Sequence, residues 1–77
     1  MRRVGEVVRT AQGVAVVRSS DESHPEFGTS LVDESLADIG TVVDVFGPVE
    51  GPYLAVSPVE GRRPASLVGT PVYARDQ

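Results

Sequence analysis

Short valine runs set between glycines and prolines most limit how this chain folds. Fifteen of its 77 residues are valine, whose stiff, branched side chain suits a pleated strand better than a helix. No apolar period of 3.6 residues runs long enough for a substantial helix. The pattern predicts strands near Val4–Arg9, Gly13–Arg18, Leu31–Val32, Gly40–Phe46, Tyr53–Pro58 and Thr70–Arg75. Thr10-Ala11-Gln12 is the expected loop of a first hairpin. Leu36–Ile39 is expected to make a helical turn. Ser19–Thr29 and Glu60–Ala65 are expected as surface loops, with Phe27 folding back as an anchor.

Six short strands in one small domain must hide their edges, and closing into a barrel does so. The expected fold is therefore all-β: a single domain over residues 1–77, a small six-stranded barrel filled by valine. A five-stranded barrel of the OB or SH3 type is the alternative. A chain of this length buries only about 60% of its unfolded surface, so the core is thin.

Composition removes several functions. There is no cysteine and one histidine, so thiolate zinc sites and multi-histidine metal clusters are excluded. No apolar run approaches ~18 residues, and the N-terminal MRRVGEVV lacks a signal peptide's apolar segment. No membrane contact is expected, and the cytoplasm is the default compartment. Asp33-Glu34, Asp38 and Asp44 match no metal-ligand loop, and Ser30 and Ser35 have no partner that would activate them. His24 reads as an exposed loop residue. No catalytic residue, cofactor or metal is expected.

Eleven acidic residues face seven arginines and no lysine. Such a surface suits a very salty cytoplasm, where screening weakens self-repulsion, and reads as a halophile's signature. It also argues against a stand-alone RNA-binding barrel, which normally carries a basic face. The visible basic clusters are two doublets, Arg2-Arg3 and Arg62-Arg63, and solvated loop residues are the expected state of the second.

Two of the four aromatics flank one turn, in VVDVFGPVEGPYLAV, residues 42–56. Alternation puts Thr41, Val43 and Val45 on one face of their strand and Val42, Asp44 and Phe46 on the other. An acid belongs toward solvent, so the Asp44 face is expected outward and Phe46 with it. In the next strand Leu54 and Val56 suit the core, and Tyr53 points out. Symmetric pairing around the turn makes Phe46 and Tyr53 cross-strand neighbours. Pro48 and Pro52 stiffen the loop. The result is either a rigid apolar contact surface or a plug at the barrel end, and the pattern alone leaves both open.

The run Gly40 to Tyr53, GTVVDVFGPVEGPY, resembles the signature of the Gar/Naf family. Arg3-Val4-Gly5-Glu6-Val7 resembles the family's opening strand, and Leu67-Val68-Gly69 with Val72-Tyr73 its closing strand. Val32-Asp33 precedes the Gly40 strand as in archaeal members. The likeness covers nearly the whole chain. It implies a six-stranded barrel of the translation-factor type and a non-catalytic Gar subunit of an H/ACA ribonucleoprotein. Such a subunit docks on the pseudouridine synthase, which performs the chemistry, and helps substrate RNA load and leave. Its contact with guide RNA is indirect. Asp44, Phe46, Gly47, Pro48, Val49, Pro52 and Tyr53 are the expected partner-binding residues. The sequence holds no Arg/Gly-rich or lysine-rich run like those of other members, so RNA contact through one is not expected. The alternatives are a stand-alone RNA-binding barrel, the related assembly factor Naf, and a small hydrolase or metal-dependent enzyme.

The charge balance generates a first prediction. Carboxylate repulsion acts on a thin core with little stability in reserve. Thermal melts should therefore rise from dilute buffer to molar KCl. A melting temperature that stays flat or falls with salt would contradict a halophilic surface.

Overall fold

The computed structural model describes residues 2–19 and 25–75. Six strands close into an antiparallel barrel: β1 (Arg2–Ala11), β2 (Val14–Ser19), β3 (Ser30–Val32), β4 (Asp38–Phe46), β5 (Tyr53–Pro58) and β6 (Pro71–Ala74). The order around the barrel is β1-β2-β5-β4-β3-β6. Each strand lies where the valine pattern puts it, with ends unchanged or moved by one or two residues. The first hairpin turns at Gln12-Gly13 alone, because both residues have positive φ, 50° and 86°. That is the two-residue turn whose twist matches the flanking strands.

Two rows of side chains fill the interior beneath β1, β2, β5 and β4. Val7, Val17, Leu54 and Val45 share one row by strand register, and Ala15, Val56 and Val42 the other, which exposed Thr10 continues at the barrel's rim. Val4, Leu31, Ile39, Val72 and Ala74 extend the buried core. Leu67 joins them from a short 3-10 helix, Pro64–Leu67, in a stretch partly covered by the expected loop 60–65. Proline at the start of that helix fixes φ without losing a needed donor.

Closure requires local departures from strict alternation. In β4 the register shifts between Val42 and Asp44, which leaves Val43 as the extra residue of a bulge. Val42 is fully buried and Val43 is exposed, the reverse of the expected faces for 41–43. Beyond the bulge, Val45 packs on the core while Asp44 and Phe46 face out, as expected. A second bulge in β1, between Val7 and Arg9, does the same to Val8.

Two glycines mark where strands approach most closely. A Cβ at Gly5 would stand 2.0 Å from the Arg18 carbonyl oxygen, and one at Gly40 would stand 2.1 Å from that of Ser57. No other residue fits either position without moving backbone.

The expected helical turn at Leu36–Ile39 is absent. Asp33 accepts hydrogen bonds at Oδ1 from the N–H groups of Ser35, at 2.8 Å, and Ala37, at 3.0 Å. Its own carbonyl accepts from Leu36, whose φ is 67°. A side chain that satisfies local backbone donors in this way competes with helix. Asp33 Oδ2 also accepts from Arg62 Nη2 at 3.0 Å, tying the β3–β4 turn to the loop after β5. Arg62 is thus paired, not simply solvated. The Arg62 hydrogen bond, then the one from Ala37, hold the Asp33 carboxyl below its usual value.

The 26–29 turn is pinned to β4. Gly28 N–H donates to Val42 O at 2.7 Å, and Val42 N–H donates to Thr29 O at 3.0 Å. Phe27 is not folded back: it is 73% exposed at the turn's tip. His24 lies outside the described residues. No described helix is long and apolar enough to cross a membrane.

Two predictions follow from this architecture. Gly40→Ala should cost about 3 kcal/mol or more, because overpacking here meets backbone. Gly51→Ala, whose Cβ would meet nothing within 4 Å, should be close to neutral; urea melts of both variants separate the effects. The second concerns pH. A depressed folded pKa contributes stability above the unfolded value of about 3.9, and that contribution fades as pH falls through the folded pKa. The difference in melting temperature between wild type and Asp33→Asn should hold steady above about pH 5 and shrink below about pH 4. A difference independent of pH would remove the Asp33–Arg62 pairing as its cause.

Candidate partner-binding face

The outer surface of β1, β2, β5 and β4 carries the candidate site. Strand register sets two rows across it. Glu6, Arg18, Tyr53 and Phe46 form the first; Arg9, Val16, Ala55 and Asp44 form the second. Both bulges create this face. Were Val43 an ordinary strand position and not a bulge, alternation from buried Val42 would turn Asp44 and Phe46 inward. Were Val8 likewise in regular register, Arg9 would share the inward face of Val7. Re-aiming side chains is a recurrent use of bulges.

Phe46 and Tyr53 are paired in register and stacked, with centroids 5.7 Å apart and planes 23° from parallel. Such an offset pair adds about 0.5–1.5 kcal/mol beyond the area it buries. Phe46 remains 39% exposed, so the pair is a surface feature, not a plug. Tyr53 is half-buried.

The turn holds the pair still. Gly47 has φ of 93°, and a Cβ there would meet the Tyr53 ring at 3.0 Å. Gly51 N–H donates to Pro48 O at 3.3 Å, closing a turn over Pro48-Val49-Glu50-Gly51. Val49 stands at its tip, 83% exposed. Pro52 is buried, and its carbonyl accepts from Ser19 N–H at 3.0 Å. Pro52 therefore anchors the turn to β2, while Phe46, Pro48 and Val49 present apolar surface. The Asp44 carboxylate accepts from Val45 N–H at 2.8 Å, inside the re-registered stretch. The seven expected residues thus fall into a presented group and a supporting group.

Beneath the rings the face changes character. Val16 is 1% exposed and Ala55 is 9% exposed although both lie outside the barrel core. Arg9 and Arg18 neighbour Val16 in the grid, and arginine stems commonly cover apolar surface this way. A groove of about 480 Å³ opens beside them, lined by Arg3, Gly5, Glu6, Val8, Arg18 and Ser19. Arg3 lies 3.9 Å from Glu6.

This basic side was not expected from the two arginine doublets. Arg9 and Arg18 are nine positions apart, and only the hairpin register brings them together. The signal was present in the paired ends of the predicted hairpin, had its register been counted outward from Gln12-Gly13. Among the described residues no group of three or more Asp, Glu or His side chains is placed to hold a metal ion.

Comparison with known proteins gives one family. The sequence model of the Gar1/Naf1 RNA binding region matches residues 1–77. No curated protein matches the chain.

Proposed function

The chain belongs to the Gar1/Naf1 family, and from that premise we propose that it is a non-catalytic subunit of a cytoplasmic H/ACA ribonucleoprotein. It docks on the pseudouridine synthase subunit through the Phe46–Tyr53 turn. Docked there, it helps substrate RNA load and leave during guide-directed conversion of uridine to pseudouridine in rRNA processing. The observation that carries this reading is the outward aromatic stack on a turn that its own backbone immobilises. Rigid, exposed aromatics lose little entropy on binding and are the usual anchors of an interface.

The bulge at Val43 dictates how the docking is tested. Phe46→Ala and Tyr53→Ala should each weaken capture of the synthase by about 2 kcal/mol or more, with little change in melting temperature. Val42→Ala, a fully buried control, should lose about 2 kcal/mol of stability instead. Capture is read by pull-down from the protein's own cell extract at high salt. Aromatic variants that fold and bind normally would place the interface elsewhere on the barrel.

A further inference from the structure

Charge on this acidic protein is sharply divided. Residues 2–19 hold four arginines and one glutamate, whereas residues 25–75 hold three arginines and seven carboxylates. The first segment is the β1–β2 hairpin, half of the outer face described above. Of the three arginines outside it, Arg62 is bound to Asp33 and Arg75 donates to Leu36 O at 3.3 Å. Cationic surface therefore concentrates on one hairpin, and there Arg3 and Arg18 line a single open groove.

We infer that Arg3, Arg9 and Arg18 form a contact site for the phosphate backbone of RNA. The family description attaches RNA binding to the region as a whole and assigns it to no residue. The grid supplies the assignment. Arg18 sits between Glu6 and Tyr53 in its row, and Arg9 sits beside Val16 in the next row. The β1 bulge at Val8 turns Arg9 outward, so the cation is placed by a built feature of the strand. Guanidinium groups on one face match phosphate oxygens by charge-assisted, bidentate hydrogen bonds. Glu6 lies inside the groove and holds Arg3 only at 3.9 Å between exposed side chains, a pairing that a phosphate can displace at small cost. An acidic protein partner would supply the same sign of charge. RNA is favoured because the groove is polar and open and the family's region is described by RNA binding. The inference uses the family assignment but not the docking on the synthase.

The test is a titration of a fluorescein-labelled, unstructured single-stranded RNA of about 20 nucleotides, read by anisotropy. It is run across the range of KCl in which circular dichroism shows the barrel folded. Three phosphate contacts on a single strand give a slope of log K against log[KCl] near −2. The triple variant Arg3→Ala/Arg9→Ala/Arg18→Ala should lose at least about tenfold in affinity and flatten that slope toward zero. The triple Arg→Lys variant should keep most of the binding, because it keeps the charge, and Arg63→Ala should change nothing. Wild type without saturable RNA binding, or an alanine variant that binds like wild type, would overturn the inference. So would an alanine variant that keeps RNA but loses capture of the synthase, since the arginines would then serve a protein contact. Retained capture with lost RNA binding supports it and leaves the docking reading untouched.

Discussion

Two extra residues, Val8 in β1 and Val43 in β4, set what this barrel can present. A small barrel closes only if its strands coil tightly, and a bulge supplies coil by putting two residues opposite one. It also shifts every later side chain to the other face. Here the shifted residues are Arg9 in one strand, Asp44 and Phe46 in the other. The same geometric device that closes the core over Val7, Val17, Val42, Val56 and Leu54 exposes the residues with the most to offer a partner. Fold and site are therefore not separable in this chain. Drawing either extra residue into regular register would turn an arginine inward in one case, an acid and an aromatic ring in the other, at a cost a thin core cannot absorb.

The aromatic turn shows how a small domain holds a contact surface without spending much of its core. Gly47 lies against the Tyr53 ring, Pro52 is buried, and Pro52 O receives the Ser19 N–H. Order is thus supplied by backbone geometry and one cross-strand link. Phe46 and Val49 can then stay in water at no cost in packing. At the other end of the molecule Asp33 plays a similar part. It satisfies two backbone donors of its own turn and clasps Arg62 from a loop 29 residues away. Both devices replace hydrophobic mass, which a domain of this size lacks, with polar links at loop ends.

What the sequence disclosed follows from the range of the interactions involved. Strand positions were legible because valine propensity and Gly/Pro punctuation are local. The Phe46–Tyr53 pairing was legible because the six residues from Gly47 to Pro52 separate the two rings, and a symmetric turn makes them partners. The bulge at Val43 was not, since Val42 and Val43 are chemically identical and only closure of the whole barrel decides which one turns inward. Phe27 was misjudged for a related reason. Its turn is fastened by backbone bonds to Val42, so the ring is not needed as an anchor. The fate of Leu36–Ile39 turned on the Asp33 side chain, which a propensity argument over the four residues alone cannot weigh. The basic hairpin was hidden by the sequence distance between Arg9 and Arg18, which only strand register closes.

Net charge was the least informative quantity of all, and the reason is screening. The two ends of the outer face, β1 and β4, are three strand spacings apart, about 14 Å. The Debye length is about 10 Å at 0.1 M salt and about 3 Å at 1 M. A phosphate resting on Arg9 and Arg18 is therefore partly screened from Asp44, two to three spacings away, in ordinary buffer, and almost wholly so in molar salt. Under such conditions an acidic average repels nothing at a distance, and only groups in contact count. The argument that an acidic chain cannot grip a polyanion holds for steering from afar. It fails for a site whose cations are set side by side by strand register, and in molar salt contact of that kind is the sole electrostatic means left for recognition.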